Sequence, residues 1–238
     1  MSNSRTNPLA LATAAALAAS GAAPIAPAPL AAQDVNVVEW RVPWDGSRPR
    51  DPYVAPDGKV WFVGQTADYA ARLDPADGSF ERFDLPAGAG PHNLIVDEDG
   101  IVWYAGNRAA HIGRLDPSTG DIVRIPMPDE RASDPHTLVF DSQGRIWFTV
   151  QHGTMVGRFD PASGDVSLVE VPTANSRPYG IVVDAADRPW VVEFVGGKVA
   201  TVDPVSLELT EYELARAETR PRRLAITSDG GVWYVDYA

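Results

Sequence analysis

Two histidines stand at matching places in this sequence and could do acid–base chemistry. His92 and His136 each follow a proline, and each lies eleven residues before a tryptophan. An imidazole can remove a proton near neutral pH, and two imidazoles at equivalent positions of adjacent structural units are expected to lie close together. A histidine at the start of a strand also often serves only as a hydrogen-bonding group, so both interpretations stay open at this point.

Amide side chains lie four positions after three of the tryptophans, at Gln65, Asn107 and Gln151. Of these, Gln151 belongs to the same unit as His136. An amide oxygen can bind a metal ion, but an amide cannot remove a proton at neutral pH. Glu193 stands one residue earlier in its own loop and is a carboxylate, which could act as a base. His152 is a secondary candidate because it directly follows Gln151.

Arginines form a third group of candidates. Arg50 and Arg222 occupy the positions that His92 and His136 hold in their own units, and Tyr179 occupies the remaining equivalent position. Guanidinium groups form paired hydrogen bonds with carboxylates. These side chains are therefore candidates for binding the carboxylate or polarised ester of a substrate, with solvated loop charge as the simpler alternative.

All of these positions are related by a repeat of 42 to 44 residues. A tryptophan closes the same segment in five copies, at Trp61, Trp103, Trp147, Trp190 and Trp233. Asp-Gly and Asp-Pro turns recur at fixed offsets between alternating apolar segments, which predicts four short strands in each repeat. Repeats of this length and content are typical of β-propeller blades, in which strands a to d run from the central channel outwards.

The sequence therefore predicts an all-β protein, with four complete four-stranded blades and part of a fifth. A tryptophan at one fixed place in every blade favours packing between neighbouring sheets over a ligand-binding role. Residue positions at the start of strand a and in the loop between strands b and c are expected at one mouth of the central channel. A small-molecule substrate or ligand is expected to bind there.

The first 32 residues form a different kind of segment. They carry one charged side chain, an Ala/Leu-rich stretch and small residues near position 32, which predicts a signal peptide over residues 1–32 and a propeller domain over 33–238. The protein is then periplasmic or secreted, and the apolar stretch is too short to span a membrane. Residues 33–238 contain 19 basic and 32 acidic side chains and no cysteine, which argues against nucleic acid as a partner.

The first and last strands of the predicted domain indicate how the ring of blades would close. Residues 35–43 match strand d of the other repeats, and an isolated outer strand of this kind usually completes the last blade. The last repeat stops just after strand b, so a strand c is missing at both ends. We expect a chain truncated from a larger ring, monomeric when full length and prone to self-association as it stands. A five-bladed ring with a three-stranded closing blade is the alternative.

The blade pattern PHNLIVDEDGIVWY, followed by HIGRLDPSTG and IPMP, resembles the virginiamycin B lyase family of seven-bladed propellers over residues 35–238. The resemblance implies a magnesium-dependent opening of a cyclic peptide lactone by elimination. It implies histidines at the Pro-His positions of two successive blades, which His92 and His136 match, and a glutamate in the b–c loop of the second, where this chain has Gln151. In the family the pair belongs to the last two blades, whereas here it falls in the second and third repeats.

Three functions remain in competition. The first is a lyase of the streptogramin type, and the second is a calcium-dependent lactone hydrolase like the gluconolactonase propellers. The third is a non-enzymatic exported propeller that binds a ligand or a protein. The histidine pair favours the lyase over the hydrolase because imidazole is a poor calcium ligand, while Gln151 favours the binding protein over the lyase. A lyase-like propeller is the best single description.

Overall fold

The computed structural model describes residues 37–238, and the predicted signal peptide lies outside them. The described residues form four complete four-stranded antiparallel sheets and one two-stranded sheet, with the strands of each sheet paired in chain order. This arrangement confirms the predicted all-β class, the four complete blades and the partial fifth. The described part of the chain has one helical element, a 3-10 turn at Asn107–Ala109, and no helix in it is long and apolar enough to cross a membrane.

The strands follow the repeat closely. The first two blades consist of β1 (Pro49–Val54), β2 (Val60–Gly64), β3 (Tyr69–Leu73), β4 (Phe80–Asp84), β5 (Leu94–Val96), β6 (Val102–Gly106), β7 (His111–Leu115) and β8 (Ile122–Pro126). The next two consist of β9 (Pro135–Phe140), β10 (Ile146–Val150), β11 (Met155–Phe159), β12 (Val166–Glu170), β13 (Pro178–Val183), β14 (Pro189–Glu193), β15 (Lys198–Val202) and β16 (Leu209–Glu213). The partial blade consists of β17 (Pro221–Ile226) and β18 (Val232–Asp236).

Turn chemistry explains why the strands end where they do. In the β5–β6 turn Gly100 has a φ of 80°, a left-handed conformation that a residue with a side chain rarely adopts. In the β7–β8 turn the N–H of Gly120 donates to the carbonyl of Asp116 at 2.8 Å, which closes the turn that Pro117 begins. The blade 4 copy of this turn places Leu207 in the same left-handed region, at a φ of 61°. The turn geometry is thus retained even where glycine is absent.

Three of the five repeated tryptophans are buried between blades, as predicted. Trp61, Trp103 and Trp147 are at most 6% exposed, and each belongs to a cluster that includes residues of the following blade. Trp147, for example, shares its cluster with Ile181 and Val191 of blade 4. This burial of apolar area between sheets is the main force that holds neighbouring blades together.

A hydrogen bond that the repeat had not suggested fixes the orientation of three of these rings. The indole N–H of the tryptophan donates to a carboxylate six residues earlier, at the start of the a–b turn, over 2.9 to 3.0 Å. The pairs are Trp103–Asp97, Trp147–Asp141 and Trp190–Asp184. Because a buried indole N–H must find a partner, the aspartate and the tryptophan act as one unit.

The partial blade exposes positions that are buried in the complete blades. Trp233 is 68% exposed and Val235 is 60% exposed, whereas Val192, the blade 4 equivalent of Val235, is fully buried. Strand β18 pairs only with β17 in the described residues, so no third strand covers it. The prediction of an outer strand over residues 35–43 is wrong for the described residues 37–43, which contain no strand. Such a strand needs a strand c to pair with, and the described part of the partial blade has none.

The innermost strands carry the predicted site. Strands β1, β5, β9, β13 and β17 contact one another in succession, so their first residues meet near the centre. The pairing of β1 with β2 shifts register between Arg50 and Tyr53, and that of β17 with β18 shifts between Pro221 and Arg223. A shift of this kind bends the strand and changes the direction of a side chain. Both irregularities fall at the positions that sequence comparison had aligned with the histidines.

The exposed face of β18 generates a first prediction. We expect residues 33–238 to self-associate in solution, because the exposed Trp233, Val235 and unpaired strand edge form an apolar template for a second copy. Replacing Val235→Lys should shift the chain toward monomer in sedimentation velocity, since a charged edge residue opposes strand pairing.

The matched control is Val205→Lys, because Val205 is 90% exposed in a turn away from that edge. This control should leave the association unchanged. A chain that sediments as a monomer over a wide concentration range, before any substitution, would contradict the prediction.

Candidate functional site

His92 and His136 lie against each other at the beginning of the innermost strands of blades 2 and 3. Their ring centroids are 3.5 Å apart and their planes are inclined by 36°. The side chains are buried, with residue exposures of 5% and 2%. The backbone N–H of His92 donates to the carbonyl of Ala105 at 3.0 Å, which fixes the start of the strand. The structure brings the two predicted histidines together, and their chemical role stays a prediction.

Asp51 is the nearest carboxylate to this pair, and the sequence argument missed it. Its Oδ2 lies 3.4 Å from Nδ1 of His92, which is longer than an ordinary hydrogen bond. Asp51 has a φ of 48°, in the left-handed region, within the register shift of β1. Aspartate is one of the few residues with a side chain that enter this region at modest cost.

Arg223 connects residues of the site that come from three different blades. Its Nη2 donates to Oδ1 of Asp51 at 3.2 Å, and its Nη1 donates to Oγ1 of Thr137 at 3.5 Å. Thr137 Oγ1 in turn lies 2.9 Å from Nδ1 of His136. Because these residues belong to strands β1, β9 and β17, one guanidinium connects the innermost strands of the first, third and partial blades.

The charge states follow from burial and from neighbouring groups. Burial lowers the pKa of His136 far below its usual range, and the adjacent His92 lowers it further. Burial also lowers the pKa of His92, with the charge of Arg50 contributing, although Asp51 opposes the shift. Burial alone would raise the pKa of Asp51, but the adjacent His92 and the charge of Arg223 outweigh it and lower that pKa to about 2. At neutral pH the site therefore holds two neutral imidazoles and one carboxylate.

Three buried polar atoms converge here without a hydrogen-bond partner in the described residues. They are Oδ2 of Asp51, Nδ1 of His92 and Nε of Arg50. Arg50 Nη1 does donate to Oε1 of Gln65 at 2.9 Å, so the guanidinium is anchored on one side only. Buried polar groups in proteins are nearly always hydrogen-bonded, and each exception requires an explanation. The three atoms are therefore the unsatisfied polar groups of the candidate site.

Tyr179 and Arg222 extend the site towards the partial blade. The ring of Tyr179 lies 4.3 Å from that of His136, between centroids, and its hydroxyl accepts a hydrogen bond from Arg222 Nη2 at 3.0 Å. Tyr179 is buried and Arg222 is half-buried. The two residues thus stand beside the histidines, as their alignment in the repeats had indicated.

The remaining amide and histidine candidates have other contacts. Asn107 donates from Nδ2 to the carbonyl of Pro135 at 3.1 Å, which ties blade 2 to the start of blade 3. Gln151 is half-buried, and its side chain makes no hydrogen bond with the described residues. The side chain of His152 is 60% exposed, and its Nδ1 lies 2.5 Å from Oδ2 of Asp134. The structure records no contact of these three with the histidine pair.

Glu193 differs most from its predicted placement. Its side chain is fully buried, and neither carboxylate oxygen has a hydrogen-bond partner in the described residues. Lys198, its partner in the strand register, is engaged by Glu211 and by Glu213, each at 2.9 Å. Burial raises the pKa of Glu193 to about 7, and the negative charge of Glu211 contributes. The carboxyl lies within blade 4 instead of at an exposed rim.

The described residues do not fit the magnesium ion that the family resemblance implies. Magnesium requires oxygen ligands in octahedral geometry, and Asp51 is the one carboxylate that contacts the pair in this part of the chain. That carboxylate is engaged by Arg223, and the charge of Arg50 also opposes a cation. No group of three or more carboxylate, imidazole or thiolate side chains in residues 37–238 is arranged to hold a metal ion. We therefore derive no chemical step through magnesium.

Fold and site together define a β-propeller with a polar, histidine-containing site among its innermost strands. The sequence matches the virginiamycin B lyase family over residues 25–238, and the chain belongs to this family. Comparison with curated protein sequences gave no match.

Solved structures agree with this assignment. The chain is 27% identical to a streptogramin B lyase structure, with a TM-score of 0.76 over 83% of this chain and 65% of that one. It is 25% identical to a virginiamycin B lyase from Staphylococcus aureus, with a TM-score of 0.76 over 83% and 66%. A catalytically inactive histidine-to-alanine variant of that enzyme with quinupristin gives 25% and a TM-score of 0.74. The chain thus spans slightly less than two thirds of these proteins.

More distant propellers share the fold alone. A gluconolactonase from Xanthomonas campestris is 15% identical, with a TM-score of 0.61 over 78% of this chain and 69% of that one.

The site residues that were not predicted from the sequence occupy equivalent positions in their repeats. Asp51, Thr137 and Arg223 each come directly after a position that was identified as a candidate. Asn93 is a fourth, and its Oδ1 accepts a hydrogen bond from the backbone N–H of Leu138 at 2.8 Å. Polar residues at this next position in four of the five repeats were the available signal. A strand would normally turn them away from the centre, and the irregular pairing of β1, β9 and β17 permits the observed contacts.

Glu193 generates a prediction about stability. Its pKa is raised in the folded protein, so folding is favoured while the carboxyl is protonated, and that contribution is lost as pH rises from about 4.5 to about 7. Replacing Glu193→Gln should raise the free energy of unfolding above pH 7 by up to about 3 kcal/mol and reduce the pH dependence. Urea unfolding followed by tryptophan fluorescence at several pH values measures both effects.

Glu208→Gln is the matched control because Glu208 is exposed in a turn of the same blade. It should leave the profile unchanged. Equal stability of Glu193→Gln and the parent chain at every pH would show that the carboxyl is not destabilising when ionised.

Proposed function

We propose that this protein is a carbon–oxygen lyase of the streptogramin type, which opens a cyclic ester by elimination. The observation that carries the proposal is the pair of neutral, contacting imidazoles with an ionised Asp51 beside one of them. Membership of the virginiamycin B lyase family supports the same chemistry. Because the predicted signal peptide lies outside the described residues, export to the periplasm or exterior is part of the proposal.

His92 is the residue that we assign to proton removal. Its Nδ1 faces Asp51, so a proton on Nδ1 leaves Nε2 with a lone pair that can accept a proton from substrate. The carboxylate then stabilises the imidazolium that forms, as an aspartate does behind a catalytic histidine elsewhere. His136 stacks on His92 and holds the ring in place.

The proposed step is balanced without water. His92 takes the proton from the carbon beside the substrate carbonyl, and the electron pair of that bond forms a carbon–carbon double bond. The ring carbon–oxygen bond at the adjacent carbon then breaks, and its oxygen leaves as part of a carboxylate. Arg50 has an unsatisfied, buried Nε and is suited to bind the carbonyl on which negative charge develops.

A non-enzymatic binding protein is the second candidate. The specific observation in its favour is that Gln151 stands where the family resemblance implies a glutamate, and an amide cannot act as a base. The depressed pKa values of the two histidines also make them weak bases, which binding of a neutral ligand would not require. Both candidates place a small ligand at the same site.

Quinupristin, present in the structure of the related enzyme, provides the assay. We expect the protein to convert it into a linear product of unchanged mass, because elimination adds no water, whereas lactone hydrolysis adds one. His92→Gln and Asp51→Asn should lower the rate, the first by about 100-fold or more, since a positioned base contributes at least that much. Liquid chromatography with mass spectrometry follows the product.

His111→Gln is the matched control, because His111 is an equally buried histidine that contacts Tyr104 away from the pair. It should change stability more than rate. A product with the mass of one added water would favour the hydrolase. Binding of quinupristin without any product would favour the binding protein.

A further inference from the structure

Beyond the histidine pair, aromatic rings and guanidinium groups alternate outwards along the start of blade 4 and the partial blade. From the buried Tyr179, the guanidinium carbon of Arg222 lies 5.0 Å from the ring centroid, and the same carbon lies 4.8 Å from the ring of Tyr237. Arg220 lies 5.8 Å from the ring of Tyr237 and 4.4 Å from that of Phe194. We call these five residues the aromatic–arginine ladder.

The ladder is continuous with the proposed active site at its inner end. Tyr179 stands 4.3 Å from His136 between ring centroids. At the outer end Arg220 is exposed, and Tyr237 is 60% exposed. A ligand that reaches the histidines from solvent on this side would pass along the ladder.

Stacking leaves the donors of both arginines available. A guanidinium that lies over a ring uses its face, while its N–H groups point outwards along the edge. The side chain of Arg220 makes no hydrogen bond or ion pair with the described residues, and Arg222 is engaged by two tyrosine hydroxyls, that of Tyr179 at 3.0 Å and that of Tyr237. The rings hold the two cations in place without neutralising them.

No carboxylate of the described residues forms an ion pair with either guanidinium. Asp236, which directly precedes Tyr237, instead accepts from the backbone N–H of Arg220 and pairs with Arg216. In a chain of net charge −12, two unpaired arginines anchored by three rings are a specific feature. A planar oxyanion fits them, because a carboxylate can accept two parallel hydrogen bonds from each guanidinium edge.

We propose that the aromatic–arginine ladder is a second binding subsite, which takes the carboxylate of an aryl-bearing ligand. The carboxylate pairs with Arg220 and Arg222, and the aryl group packs against Tyr237 and Phe194. For the identity of its natural ligand this inference rests on the proposed function, since elimination from a cyclic ester releases a carboxylate. The subsite itself is tested by binding alone, without turnover.

Phenylacetate is the probe, and phenylacetamide is its uncharged counterpart of the same shape. Isothermal titration at low ionic strength, at protein concentrations where the chain is monomeric, should show phenylacetate binding about 10-fold or more tighter than phenylacetamide. Arg220→Gln and Arg222→Gln should each weaken phenylacetate binding at least about 5-fold. Arg220→Lys should also weaken it, because lysine retains the charge but loses the planar pair of donors.

The chain offers a matched control for position and charge. Arg177 occupies the same place in blade 4 that Arg220 occupies in the partial blade, and it is exposed, but no aromatic ring in the described residues lies beneath it. Arg177→Gln should change the affinity less than about 2-fold. Circular dichroism and thermal unfolding of each variant confirm that it is folded before binding is measured.

Two outcomes would overturn the proposal. Equal binding of phenylacetate and phenylacetamide would show that no carboxylate is recognised. A loss with Arg177→Gln as large as that with Arg220→Gln would show attraction by diffuse positive charge instead of a subsite. Neither result would affect the quinupristin assay, so failure of the ladder and failure of the lyase proposal are distinguishable.

Discussion

The packing of each blade against the next is the interaction on which the rest of the structure depends. Trp147 is fully buried against Ile181 and Val191 of blade 4, and its indole N–H is held by Asp141. This contact fixes the distance between sheets and therefore between their innermost strands. His92 and His136 belong to different blades, yet their rings lie 3.5 Å apart. Each sheet supplies one histidine, so the distance between the two rings is set by how closely the sheets pack.

Most of the fold could be predicted from the sequence because a propeller repeats one local pattern. The turns after Asp97 and after Asp116 carry residues that specify their backbone geometry, and alternation of apolar residues specifies the strands between them. The predicted outer strand over residues 35–43 failed for a different reason. A strand exists only when another strand completes its hydrogen bonds, and this tertiary condition is invisible in a local pattern. Trp233 is exposed for the same kind of reason, because no third strand covers β18 in the described residues.

The site could be predicted only in part. Alignment of the repeats identified the histidine pair and Tyr179, which the structure brings together, but it overlooked Asp51 and its left-handed backbone. The error over Glu193 is a one-residue effect, because neighbouring residues of a strand face opposite sides. The rim position falls four residues after the tryptophan, and Glu193 falls three residues after it, at the end of β14. Its carboxyl is consequently buried within the blade.

The central claim is that packed strands hold two neutral, contacting imidazoles beside an ionised carboxylate. Long-range ¹H–¹⁵N correlation spectra of the imidazole rings test it most directly, with His92→Gln and His136→Gln for assignment. The account predicts that His136 stays neutral as pH falls from about 7 to about 5, where an ordinary histidine gains a proton, and that His92 gains its proton at a lower pH than an ordinary histidine. Protonation of His92 or His136 with an ordinary pKa in that range would contradict it, because it would mean that the pair is open to water.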